Sequence, residues 1–379
     1  MKKRSKILGF TLLSLALFCK CDSDDTPNPN PNPGGEPVEA TTTLINTLSI
    51  PWELTWGPDN FLWVTERSGK ISRINPDTGE QDEILVIDEV EQVQESGLLG
   101  LVHHPDFSSN PYIYVVYTYN GQNGLLEKVV RFSYINESLV DETTLLDNIP
   151  ANRIHNGSRL LVTSDLKLLM TTGDAGNTNL SQDINSLGGK ILRMNLDGSI
   201  PNDNPIAGSY IYSYGHRNAQ GLTLHPNGNL YSSEHGPSSD DEINRIEIGK
   251  NYGWPDVRGV IDTPSEETFA AGTEVVESIY QWTPTIAPSD LVFYTSDRIP
   301  QWTNKLLLTV LKNQQIIALT LNDNGTAIIE EKIFFNQAFG RLRDIAVSPT
   351  GRVFIATNGN SYGDTTNTHS IIEINRIEE

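Results

Sequence analysis

The apolar residues of this chain fall into short runs, and no long stretch carries the spacing of an amphipathic helix. From Thr41 onward one phrase recurs: a turn rich in Gly, Pro, Asn, Ser or Asp, then a brief β-branched and apolar run. It stands at Gly57 (GPDNFLWVTE), Ser108 (SSNPYIYVVYTY), Thr163 (TSDLKLLMTTGD), His225 (HPNGNLYSSEHG), Pro300 (PQWTNKLLLTVL) and Ser348 (SPTGRVFIATNGN). Another apolar strand precedes several copies, as at 99–102 and 344–347, and a third follows several, as at 70–74 and 190–194. The copies lie roughly 50 to 75 residues apart, room for one four-stranded sheet each. Six such sheets closing radially predict an all-β, six-bladed β-propeller over residues 41–379. A propeller gathers loops from several blades around one channel, so its polar loops are the candidate site material.

The first residues obey a different pattern. Lys2, Lys3, Arg4 and Lys6 precede an apolar run, 7–18, too short to span a bilayer, which is the form of a signal peptide. Both cysteines, Cys19 and Cys21, come directly after it and none follows. The folded domain is therefore expected to hold no disulfide and no cysteine-based site. The acidic run after Cys21 resembles the start of a bacterial lipoprotein, with 1–21 as the leader and Cys21 or Cys19 lipidated. Phe18 and Lys20 do not match the small residue such signals carry, and plain secretion is the alternative. Either way the protein is exported, to the outer membrane or cell surface or into the periplasm. Residues 22–40, with PNPNPNPGG, form a solvated tether.

Lys plus Arg number 27 against 48 Asp plus Glu, a formal charge of −21. Such a surface repels nucleic acid and anionic lipid, which leaves the lipid anchor as the one expected membrane attachment. Basic residues in loops then stand out. Lys312 closes the run 306–311, and Arg341 and Arg343 flank Leu342, so they share a face of an extended segment. Three cations converging on a channel suit a polycarboxylate ligand; ion pairing with neighbouring carboxylates is the alternative.

The stretch 215–255 is the densest in candidate chemistry. Arg217 and Asn218 occupy a polar turn, where a guanidinium and an amide suit an anionic, oxygen-rich molecule. Gly236-Pro237 precedes Asp240, Asp241 and Glu242, and carbonyls beside carboxylates are ligands for a hard cation such as Ca²⁺. His155 leads into a core strand, and Asp174 ends the same hairpin, within reach to orient the ring as a general base; a loop-capping His is the alternative. His103 and His104 point to opposite faces of a strand and cannot share one ion. His216, His225 and His235 precede turns and are assigned structural roles. No nucleophile elbow, HExxH helix or phosphate loop is present, and Gly188-Gly189-Lys190 introduces a strand.

Taken together, ESGLLGLVHHPDF, HNGSRL, GDAGN, GGKILRMNLDGS, YGHRNAQGL, EHGPSSDDEIN, NYGWP, WTPTIAPS, LLLTVLK and GRLRDIAVSP resemble the soluble quinoprotein aldose and glucose dehydrogenases. These six-bladed propellers use pyrroloquinoline quinone (PQQ) and Ca²⁺. The phrases run in family order from about Trp52 to the C-terminus. The resemblance implies PQQ- and Ca²⁺-dependent oxidation of an aldose at C1 to a lactone, with electrons passed to a diffusible or membrane acceptor. It makes His155 the general base, Asp174 its partner, and Arg217 and Asn218 the pair at the quinone carbonyl. Gly236 and Pro237 become carbonyl ligands of the PQQ-bound Ca²⁺. Lys312, Arg341 and Arg343 become the grip on the PQQ carboxylates, and Glu242 with Tyr252 ligands of a further Ca²⁺. Glu95 stands where glucose-oxidising members have Gln beside the substrate, and Asn179 replaces a Gln near the cofactor. Tyr280 and Trp282 are candidate walls of the sugar site, although the WTPT phrase is one residue longer than the glucose-specific form. A non-catalytic, glycan- or protein-binding propeller is the alternative function.

Overall fold

The computed structural model describes residues 39–378 apart from Thr365 and Asn367; the leader, both cysteines and nearly all of the tether lie outside that range. Among the described residues, twenty-four strands form six four-stranded antiparallel sheets. Blade 1 spans residues 51–86, blade 2 98–150, blade 3 157–214, blade 4 219–282 and blade 5 288–334, each a simple meander. Blade 6 combines residues 342–374 with the first strand, Thr41–Leu48, which pairs along His369–Ile374 and closes the ring. The innermost strands touch one another in cyclic order around the channel.

The recurrent phrases are the second strands of the blades. Leu62–Glu66, Leu230–Glu234 and Val353–Thr357 are buried at every position, because sheets pack against both faces. Outermost strands such as Gln81–Val86 are half exposed. The core is divided into six apolar clusters, one in each seam between neighbouring blades. Trp63, Ile71, Leu101, Ile113 and Val115 fill the seam between blades 1 and 2, each such side chain contributing about 1.5–3 kcal/mol. Among the described residues no helix is long and apolar enough to cross a membrane.

Two features of the meander position the site. Each innermost strand begins at one end of the channel and each second strand ends there. The loops that enter a blade and those that follow its second strand therefore meet on one face. In addition, every innermost strand carries a one-residue register shift near its start, a β-bulge. On a regular strand, neighbouring side chains point to opposite faces; a bulge re-aims them. Thus Trp52 and Glu53 both face the channel, as do Arg343 and Asp344.

The second members of these pairs form a buried plug. Arg159 bonds to Glu53 at 2.7 Å, Asp344 at 2.9 Å and Asp290 at 3.3 Å, and its guanidinium lies 4.5 Å from the Trp52 ring. Burial, aided by the charge of Asp344 and opposed by Arg159, pushes the Glu53 carboxyl up to about 8. The plug separates a cavity of about 810 Å³ at the loop end from one of about 240 Å³ at the other.

Candidate active site

His155 lies in the loop entering blade 3, and Asp174 follows that blade's second strand. The ring Nδ1 is 2.7 Å from Asp174 Oδ1, and Arg217 Nη2 is 3.1 Å from Nε2. A guanidinium only donates, so Nε2 carries the lone pair and Nδ1–H donates to the carboxylate. Asp174 also accepts from Gly176 N–H at 2.8 Å and from Trp254 Nε1 at 2.9 Å. Burial would raise its pKa, but the bond and charge of His155 and these further donors hold it below the ordinary value. Arg217 stands over Trp254 and donates to the His235 carbonyl at 3.0 Å. Its turn is fixed by Glu234, which accepts from the Arg217 and Asn218 N–H groups. The Asn218 amide oxygen ties Gly157 N–H to Gln220.

Beside this corner opens the larger cavity, and the three cations singled out in the sequence all line it. Arg67, which the sequence reading missed, is a fourth. It follows the second strand of blade 1 as Lys312 follows that of blade 5, which was the available signal. Lys312 Nζ donates to the Thr285 carbonyl at 2.7 Å and hydroxyl at 3.0 Å. Burial lowers Arg343 to about 9, and the charges of Arg159, Arg341 and Arg67 push the same way. Arg159 is neutralised in the plug, but Arg343, Arg341 and Arg67 crowd one another with fewer carboxylates to hand, and a polyanionic ligand would relieve them.

The reverse holds next to Arg217. A void of about 10 Å³ is lined by Gly236, Pro237, Glu234, Asp240, Glu242 and Tyr252, among others. Burial, then the charge of Glu234, pushes the Glu242 carboxyl up to about 8. Among the described residues, no hydrogen bond is made to the Gly236 or Pro237 carbonyl. The turn is held by Asp241, which accepts from Gly236 N–H and from Ile286 and Ala287 N–H. Gly236 is required by crowding: a Cβ there would lie 1.9 Å from the Ser239 carbonyl. Among the described residues no group of three His, Cys, Asp or Glu side chains is disposed to hold a metal. A cation here would depend on these carbonyls and on a second ligand.

Two expectations need correction. Tyr280 and Trp282 lie on the outermost strand of blade 4, where both donate to Glu331 across the seam with blade 5, and they do not line the cavity. Asn179 opens a one-turn helix, Asn179–Gln182, and is exposed away from the cavity. Tyr252 borders the same void as Glu242; its phenol is committed, donating to the Arg245 carbonyl at 2.7 Å and accepting from Glu247 N–H, so a part in a cation site would fall to its backbone carbonyl. His235 keeps the structural role expected of it, donating to the Pro288 carbonyl from the cavity wall; burial, then the charges of Arg343 and Arg217, lower it to about 3, so it is neutral. Glu95 does reach the cavity, where it accepts from His155 N–H at 3.1 Å. His103 packs on Trp63 and His104 on Tyr112, on separate sides as expected. Lys190 is interior, its ammonium held by the Leu180, Ser181 and Gly188 carbonyls.

A carboxylate-oriented imidazole beside a polybasic cavity, at the loop face of a six-bladed propeller, defines a class of site suited to proton abstraction next to a bound polyanion. Residues 48–365 match the glucose/sorbosone dehydrogenase family model, and the chain belongs to that family. It is 32% identical to quinoprotein glucose dehydrogenase B of Acinetobacter calcoaceticus, over 82% of this chain and 83% of the relative. The PQQ-bound aldose sugar dehydrogenase of Streptomyces coelicolor superposes with a TM-score of 0.74 at 31% identity, covering 88% of this chain and 97% of that one. The soluble aldose sugar dehydrogenase of Escherichia coli, in its apo-form, gives 0.79 at 28% identity, covering 88% and 98%.

Proposed function

We propose that the protein is a PQQ- and Ca²⁺-dependent aldose dehydrogenase that oxidises the C1 hydroxyl of a sugar to the lactone. The observation that carries the reading is His155, oriented by Asp174, with only the Arg217 guanidinium at Nε2, beside a cavity lined by four cations. The residues fit the cofactor. Lys312, Arg341 and Arg343 would hold its carboxylates, and the uncommitted carbonyls of Gly236 and Pro237 would hold Ca²⁺. PQQ, when bound, supplies the two-electron acceptor for the hydrogen leaving C1.

The chain's own part is proton chemistry and electrostatics. His155 Nε2 takes the proton of the C1 hydroxyl. Asp174, kept ionised by its donors, fixes the tautomer and balances the imidazolium that forms. Arg217, within hydrogen-bond reach of Nε2, shifts toward the oxygen-rich ligand and stabilises negative charge developing there.

Calorimetry of the purified apoprotein with PQQ tests this reading. Uptake of one PQQ is expected only with Ca²⁺ present, together with a quinone absorption band that bleaches when aldose is added and a rise in Tm. Arg341→Ala should weaken uptake by about 1.5–3 kcal/mol, the worth of a charge-assisted bond. No uptake at micromolar PQQ under saturating Ca²⁺ would rule the reading out.

A further inference from the structure

With Tyr280 and Trp282 in an outer seam, the cavity mouth has a different aromatic group. Tyr362 lines it from the loop between the second and third strands of blade 6. The residue is 63% exposed, and among the described residues it is the one aromatic left largely in solvent. The Arg341 guanidinium lies 5.7 Å from its centroid. Its hydroxyl donates to Glu95 Oε1 at 3.3 Å, across the mouth from blade 6 to the loop entering blade 2. That is long for an O–H···O bond and readily exchanged. The other Glu95 oxygen holds the His155 N–H, and His155 sits at φ +58°, a left-handed conformation that a non-glycine residue adopts only when its surroundings hold it.

An exposed ring ringed by acceptors and donors is matched to a ligand with an apolar C–H face and a hydroxyl edge. Arg67, Gln92, Gln94 and Asp364 complete the polar rim. We propose that Tyr362 supplies the platform for the sugar ring at this mouth, next to Glu95, the position that the family resemblance already sets beside the substrate. Tyr362 is its apolar platform; Glu95 accepts a sugar hydroxyl in place of the Tyr362 phenol and, through the His155 N–H, sets the base against the same ring. The inference rests on the dehydrogenase reading and assigns to it a residue that sets sugar preference.

The test uses the holoprotein reconstituted with PQQ and Ca²⁺ and its Tyr362→Ala, Tyr362→Phe and Tyr362→Trp variants. Turnover of an aldose panel and saturation-transfer NMR of the same sugars are measured on each, with PQQ uptake by calorimetry as the control on folding and cofactor. Tyr362→Ala is expected to raise KM about tenfold, the worth of a lost aromatic contact, with little change in kcat and normal PQQ uptake. Tyr362→Trp should restore KM, and Tyr362→Phe should fall between. Sugar saturation transfer should drop in Tyr362→Ala in step with KM. Wild-type KM and saturation transfer in Tyr362→Ala would overturn the subsite while leaving the dehydrogenase standing. Wild-type protein that binds a sugar through Tyr362 without oxidising it would support the subsite and sink the dehydrogenase. Wild-type protein that binds none of the sugars would overturn the subsite.

Discussion

His155 and His216 are both imidazoles bonded through Nδ1 to a carboxylate, at 2.7 Å to Asp174 and 3.0 Å to Glu234. They differ at the other nitrogen. His216 Nε2 is closed by the Ser213 hydroxyl at 2.8 Å, its ring is stacked on Tyr252, and no part of its side chain reaches solvent. His155 Nε2 meets only the Arg217 guanidinium, a donor that leaves it the lone pair, and its side chain is 16% exposed. A histidine–carboxylate pair is therefore not a site in itself; a second nitrogen that keeps its lone pair and is partly open to solvent makes it one. The closed pair still serves the open one, because Glu234 also anchors the turn that carries Arg217.

The largest effect should come from emptying the open pair. His155→Ala is expected to slow turnover by about 10²–10⁴ while PQQ still binds, as single-turnover kinetics on the reconstituted protein would report. Asp174→Asn should cost less, since the ring remains and only its orientation and counter-charge are lost. The opposite ranking would show that the base is not His155. Next in size, His216→Ala leaves Glu234 and Ser213 buried with lost partners and should destabilise the fold by about 2–3 kcal/mol in urea denaturation. If its unfolding matches wild type while turnover collapses, the two pairs have exchanged roles. The smallest effect is in acid. Because the folded-state pKa of Asp174 lies below its ordinary value, its contribution to stability is present above about pH 4 and disappears as pH falls through the depressed value. Asp174→Asn should therefore show a shallower loss of Tm in that window than wild type.

The six turn-and-strand phrases made the blades legible because the second strands are buried on both faces and read as continuous apolar runs. The outermost strands were not legible: at Gln81–Val86 or Ile328–Phe334 much of the strand is open to water, and the sequence resembles a loop. That blindness explains the misplacement of Tyr280 and Trp282, whose strand position decides which seam they enter. His155, Asp174, Arg217, Lys312, Arg341 and Arg343 could be placed because loops flanking core strands converge at one end. Arg67 obeyed the same logic, and its place just after the second strand of blade 1 was the one signal it carried. Tyr362 was hidden for another reason: its value comes from Glu95, more than two hundred residues away along the chain, about as distant as blades 6 and 2 allow.

The bulge repeated in every innermost strand has an evolutionary consequence. A regular strand offers the channel every other side chain, so whatever binds a ligand competes for space with whatever seals the ring. Here Trp52 and Arg343 border the ligand space while their neighbours Glu53 and Asp344 lock onto Arg159 below. A substitution in the upper layer can therefore trade one ligand chemistry for another without breaking the ion pairs below.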